Sequence, residues 1–396
     1  MSRRAASPGA APDREDAPVE SASPAGYARW PEEAAVFSRG FDRDALRVVT
    51  WNLQLLPGAF AGQGGCPASL ERRARRIVAN VLALARATRV DVVAFQEVWH
   101  EGAARVLKEG LRCLFPHQHR PAAYCGLLTV TRAEFPHAHA RFAPFQNAAG
   151  IEGWWFTKGV AAVVVERRSG GKEKNPNEPR LFAVLNAHFQ SDFWASGAAT
   201  RASQMAQTRA LLEEIYDRSG DRSNTIVETK RDSRGDGNDR VCEMTKLLVG
   251  DLNVAAGTDE YRAAMKTLGD PTDVFDVQAV RRDDKAFRDS NNAGGSKDAS
   301  QDVFTFPIGA YVSTTFESFP LCLMGSESFG AYVAKTPTKR LDYALRFPGA
   351  DERRAETEKK KNKAAEGTAV VLRGLARGED GAPLSDHAPV FAVVQM

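Results

Sequence analysis

Apolar residues fall into short runs separated by polar breaks over most of this chain, and the runs predict strands. Leu46–Leu53 (LRVVTWNL) is β-branched and apolar, as a buried strand should be. Strand-like runs follow at Asp91–Phe95, Gly126–Thr131, Gly159–Glu166, Leu181–His188, Lys246–Gly250, Leu341–Phe347 and Pro389–Val394. Helical spacing is clear from Leu70 to Arg89, where Leu70, Ala74, Ile77, Val81 and Leu84 share one face. Residues 199–217 read as a second helix. Many strands and few helices predict an α+β fold, a sandwich of two packed sheets with helices outside.

Residues 1–40 are rich in Ala, Pro, Ser and Gly without periodicity, and read as a disordered N-terminal tail. Residues 41–396 read as one domain. Polar loop insertions are expected at 167–180, 218–240, 281–301 and 351–380, the last most charged over 351–366.

Composition narrows the class. A hydrophobic content of 43% is enough for a substantial core. The formal net charge of +3 neither requires nor excludes a polyanionic partner. Cys66, Cys113, Cys125, Cys242 and Cys322 are dispersed and odd in number, so free thiols are expected rather than a disulfide framework or a zinc site. No apolar signal segment opens the chain, and no run approaches about 18 consecutive apolar residues. The expected location is cytoplasmic or peripheral to a membrane.

Five segments place polar groups at or just past apolar strands, where side chains can converge on one pocket. Asn52 sits inside an apolar strand and must find partners or cost a few kcal/mol. Glu97 directly follows DVVAFQ, where a carboxylate needs a partner or a cation. His188 closes LFAVLNAH and can donate to a phosphoryl oxygen. Asp251 and Asn253 follow KLLVG, a pattern that an Asx turn explains equally well. Asp386 and His387 precede the last strand, and Asp342 adds a carboxylate that could orient a histidine. Each segment alone has an ordinary structural explanation, such as a hydrogen-bonded core residue or a solvated strand end.

Together and in order, TWN, QEVW, NAH, GDLN, LDY and SDH resemble the endonuclease/exonuclease/phosphatase superfamily over roughly Leu46 to Val394. The resemblance implies a four-layered α/β sandwich, two packed, mainly antiparallel sheets with flanking helices, and a metal-dependent phosphoric diester hydrolase using Mg²⁺, with Mn²⁺ as the alternative ion. By motif position it implies Glu97 as principal metal ligand, Asn52 close to the metal, and Asp386 supporting metal or water. Asp251 would align the attacking water, Asn253 hold the phosphate, and His188 meet the growing charge. His387 would act in acid–base catalysis, with Asp342 as a buttress.

WNLQLLPG, QEVW and the KGV of Trp155-Phe156-Thr157-Lys158-Gly159-Val160 are most similar to the neutral sphingomyelinase branch. That implies a phospholipid substrate, sphingomyelin above all, with peripheral membrane contact and Trp155, Phe156 and Lys158 at the substrate. Trp154, Phe193 and Trp194 are further candidate aromatic anchors. GDLNVA and RLDYAL also look like repair nucleases, so nucleic acid is the alternative substrate. An inositol-phosphate phosphatase and a non-catalytic binding module on this fold are the other readings.

Overall fold

A computed structural model describes residues 45–56, 67–150, 152–167, 180–191, 196–220, 244–274, 342–347, 367–371, 384–385, 387 and 389–394. Asp386, Phe193, Trp194, the 1–40 tail and nearly all of the expected insertions lie outside the described residues.

Each sheet has a parallel pair at its centre. In the first sheet β1 (Leu46–Leu55) runs parallel to β2 (Val92–Val98), joined by helix α1 (Pro67–Thr88). In the second, β7 (Arg180–His188) runs parallel to β8 (Met244–Asp251), joined by α4 (Gly197–Gly220). The remaining pairings are antiparallel. The sheet orders are β11-β12-β1-β2-β4-β3 and β5-β6-β7-β8-β10-β9. The added strands are β3 (His117–His119), β4 (Leu128–Thr131), β5 (His137–Pro144), β6 (Gly159–Arg167), β9 (Thr272–Asp273), β10 (Asp342–Phe347), β11 (Gly367–Val371) and β12 (Val390–Val394). Helices α2 (Glu101–Leu111), α3 (Glu152–Trp155) and α5 (Asp259–Leu268) complete the set.

Three apolar layers fill the sandwich. Leu46, Val48, Val92 and Ala94 face Val163, Val165, Val184 and Val249 between the sheets. Leu70, Ala74, Ile77, Val81 and Leu84 of α1 pack with α2 on the outside of the first sheet, as their spacing predicts. Met205 and Leu211 of α4 cover the second sheet together with α5.

Several elements differ from the sequence reading. Helix α2 is short and carries Gly102 and Gly110, so it showed little periodicity. It is capped by His100, whose Nδ1 accepts from Ala103 N at 3.1 Å. A Cβ on Gly110 would stand 2.7 Å from Val78, so this glycine sets the approach of α2 to α1. Strand β5 alternates without an apolar run because it is a sheet edge. Strand β11 falls inside the stretch expected to be the 351–380 insertion. It pairs with β12 as a further strand of the first sheet, which corrects that boundary.

Candidate active site

The C-terminal ends of the parallel strands and the N-terminal ends of their antiparallel neighbours share one edge of the sandwich. Strand alternation then aims the side chains. On β7, Phe182 and Val184 face the inter-sheet core, so Asn186 and His188 follow on that face. His188 lies beside Asp251 in the parallel ladder, and Asp251 lies opposite Asp342 in the antiparallel one. On β1, Leu46 and Val48 face inward, and Thr50 and Asn52 continue the series.

Glu97 breaks this rule. Phe95 and Val93 point to the outer helices, so alternation would send Glu97 outward too. Its backbone is left-handed instead, with φ of 55°, and its carboxylate meets Asn52. Gln54 and Asn253 are also left-handed, with φ of 49° and 52°. Such non-glycine residues cost on the order of 1–2 kcal/mol each and persist where surrounding structure demands them. Gly250 supplies the remaining bend. A Cβ there would stand 2.0 Å from Ala187 O, so only glycine lets β8 approach β7 just before Asp251.

The resulting cluster is tight. Asn52 Nδ2 donates to Glu97 Oε1 at 2.8 Å and to Asp251 Oδ2 at 3.0 Å, while its Oδ1 accepts from Gln54 N at 3.1 Å. His188 Nε2 stands 3.8 Å from both carboxylates. His387 Nε2 stands 3.7 Å from Asp251 Oδ2, and its Nδ1 lies 2.8 Å from Asp342 Oδ2. Asn253 N donates to Asp251 Oδ1 at 2.8 Å, the Asx turn that the GDLN spacing allowed. Asn253 Nδ2 donates to Phe189 O. Ser385 Oγ donates to Asn52 O and accepts from His387 N, tying the SDH segment to β1.

Burial governs the electrostatics. It pushes the Asp251 carboxyl up to about 6, against the lowering pull of His387 and with the support of the Asp342 charge. His188 is held well below the ordinary imidazole value by burial first, then by the Lys158 and His387 charges.

Two expected substrate residues sit differently from the third. Lys158 is buried: its Nζ lies 3.2 Å from His188 Nε2, 2.9 Å from Phe189 O and 2.8 Å from Glu152 Oε2. Phe156 is half-buried against Trp99 at a centroid distance of 4.2 Å, and Trp99 stands 6.4 Å from His188. Trp155 is exposed. Gly126, with φ of 67°, leaves room for Trp99, whose ring a Cβ would meet at 2.6 Å.

The sequence reading missed the supports beneath the site. Gln96 Nε2 donates to Asn186 Oδ1 at 2.7 Å, and Asn186 Nδ2 donates to Phe95 O and Thr129 Oγ1, so the two motif residues rivet the sheets together. Gln190 Nε2 donates to Glu152 Oε2, and Arg201 donates to Gln190 O and pairs with Glu260. The one available signal was polarity at buried strand positions, which obliges a partner without naming it.

Two groups bring ligand atoms within 4.8 Å of one another: Glu97, His188 and Asp251, and Asp251, Asp342 and His387. Three buried or half-buried carboxylates in one pocket, with Asp251 reluctant to ionise, form a donor set suited to a hard divalent cation. Asn52 presents its amide nitrogen to the acids here, so it would ligate a cation through oxygen only after that amide turned.

Comparison with known proteins shows the family and the fold. A family model described as Endonuclease/Exonuclease/phosphatase family matches residues 49–387. No match is found among curated proteins. Similar solved structures include sphingomyelinase C from Streptomyces griseocarneus, 19% identical, covering 89% of this chain and 99% of that one with a TM-score of 0.53. A mutant beta toxin from Staphylococcus aureus with bound magnesium ions is 16% identical, covering 89% and 100% with a TM-score of 0.54. At these identities the likeness establishes the shared fold.

Proposed function

This chain belongs to the endonuclease/exonuclease/phosphatase family of metal-dependent phosphoesterases, and from that premise we propose that it hydrolyses a phospholipid phosphodiester, sphingomyelin to ceramide and phosphocholine. The observation that carries the lipid substrate is an aromatic rim. Tyr124, Trp154 and Trp155 are the exposed large hydrophobics among the described residues, at 70%, 89% and 58%. Thr157 N donates to Tyr124 O, joining the two segments that carry them. Phe156, next in sequence, packs on the Trp99 wall beside His188. Exposed Trp and Tyr beside a pocket suit a headgroup boundary, where an apolar ring and a polar edge are both satisfied. The described helices include none long and apolar enough to cross a membrane, so contact would be at its surface.

Mg²⁺, with Mn²⁺ as the alternative, would be held by Glu97 with Asp251, and by Asn52 once turned. The beta toxin structure with magnesium supports that ion. Bound there, the ion would supply Lewis acidity toward a phosphoryl oxygen and neutralise the acids. The protein's groups would do the rest. Asp342 would hold a proton of His387 on Nδ1, so that Nε2 would exchange a proton beside Asp251. Asp251 would align the attacking water, and Asn253 would orient the phosphate. His188, backed by the Lys158 ammonium, would meet negative charge growing on the phosphoryl oxygens. Lys158 thus acts through His188 rather than on the substrate.

Phosphocholine release from sphingomyelin vesicles, with and without Mg²⁺ and with Glu97→Ala as blank, tests this reading. Mg²⁺-dependent release lost in the variant is expected. Absent release, together with cleavage of DNA or of inositol phosphates, would reassign the substrate.

A further inference from the structure

Four of the chain's seven histidines lie outside the candidate active site in two H-x-H pairs, His117/His119 on β3 and His137/His139 on β5. These strands are edges of opposite sheets, and they meet because their neighbours β4 and β6 face each other across the sandwich. In the first sheet, Val92 and Ala94 face the inter-sheet core, and Thr131 and Thr129 lie beside them. His117 and His119 lie beside those threonines in turn. Partners across an antiparallel ladder share a face, so both imidazoles point between the sheets. In the second sheet, His137 lies beside Val165, which also faces inward.

The seam is therefore lined by imidazoles from both sides. The His117 and His137 rings have centroids 6.0 Å apart. Rings whose nitrogens each sit about 2 Å from one ion have centroids roughly 5–6 Å apart, so this pair is within reach of a shared ion. Nε2 of His119 and Nε2 of His137 are buried and have no hydrogen-bond partner among the described residues. A buried ring nitrogen without a partner costs free energy that a ligand would recover. The backbone of Arg141 on β5 hydrogen-bonds to His119, so one imidazole already bridges the two edges.

We propose that this seam binds one borderline divalent transition ion, Zn²⁺ foremost, through His117, His119 and His137; a register shift sets His139 beside Val164 on the outer face. Neutral imidazole is a preferred ligand of Zn²⁺, Ni²⁺ and Cu²⁺, whereas Mg²⁺ selects oxygen, so the seam and the carboxylate pocket would take different ions. The imidazoles line the seam without yet converging on a point, and an ion would draw them together by rotation about their side-chain torsions. It would clip the free edges of the two sheets. The proposal stands on the seam alone and is independent of the phospholipid reading.

The test titrates chelator-stripped full-length protein with Zn²⁺ by calorimetry and thermal unfolding, comparing wild type, His119→Gln/His137→Gln and the active-site variant His188→Gln. The seam double variant should bind one Zn²⁺ fewer per chain, or bind it at least about tenfold more weakly, and lose the zinc-induced rise in Tm. His188→Gln should retain that rise. Equal stoichiometry and an equal rise in the seam variant would overturn the proposal. Anomalous scattering from zinc-soaked wild-type crystals decides the matter even if the variant fails to fold. A peak among His117, His119 and His137 supports the site, and zinc confined to Glu97, His188 and Asp251 refutes it.

Discussion

Asp91 and Asp251 stand at opposite ends of the sandwich, and burial pushes both carboxyls up to about 6. Asp91 precedes β2, where Arg47 N donates to its Oδ2 at 2.9 Å and the charges of Arg47, Arg167 and Arg132 pull its value down. Its neighbours are cations and backbone, so the folded protein can satisfy it unaided. Asp251 ends β8 facing a second carboxylate, Asp342, with Glu97 held nearby through Asn52. Equal burial thus has opposite meanings. One end answers its acid with several arginine charges, whereas the other sets it beside a second acid with His387 as its main counter-charge, an arrangement that pays off when a cation or substrate arrives.

The largest effects should come from breaking the catalytic end. Glu97→Ala should abolish Mg²⁺-dependent phosphodiester turnover without lowering the metal-free Tm, and His387→Ala should cost about 10²–10⁴-fold in kcat. Steady-state kinetics with calorimetric unfolding checks both, and wild-type kinetics in either variant would remove the assigned role. Asp342→Asn should follow with a loss of up to about 10⁴-fold in kcat at nearly constant KM, because the ring would lose its fixed tautomer. A selective rise in KM would instead make Asp342 a binding residue.

The arginine end should reveal itself in stability rather than rate. The folded state holds the Asp91 proton more tightly than the unfolded chain, whose value is 3.8. Its contribution is therefore most favourable below pH 4, falls as pH rises to about 6, and is flat above. A shift of about two units corresponds to roughly 3 kcal/mol across that window. Asp91→Asn should flatten this decline in urea midpoints measured from pH 4 to 7. Saturating Mg²⁺ should cancel the similar contribution of Asp251 and leave that of Asp91 in place. An unchanged slope in Asp91→Asn would count against the comparison.

The smallest effect should be at the rim. Trp154→Ala should leave stability within about 0.5 kcal/mol and hydrolysis of a soluble phosphodiester unchanged, while weakening sphingomyelin vesicle hydrolysis several-fold, as loss of an interfacial aromatic should. Equal activity on vesicles would exclude the rim from lipid contact.

Much of this was legible beforehand. The runs of β1, β2, β7 and β8 are long and apolar, and the α1 stripe repeats at helical spacing, because burial imposes those periods on the sequence itself. Strands β5 and β11 escaped notice because edge strands need not be apolar, and α2 because two glycines dilute a short helix. Asn52, His188, Asp251 and Asp342 stood out as polar groups in or ending apolar strands. The KGV resemblance puts Lys158 at the substrate, since nothing local shows that its ammonium is spent on His188, Phe189 O and Glu152.

By itself, then, the sequence determined the central strands of both sheets, that polar residues close them, and that their order is that of this family. Hydrophobic periodicity is a local property and survives in one dimension. Only the tertiary structure decided that Glu97 turns left-handed to join the inner face, that Asp342 rather than another acid meets His387 Nδ1, and that His117 and His137 from edges of opposite sheets stand ring to ring. Those outcomes depend on ladder register and on one sheet facing another, which bring together residues far apart in the chain.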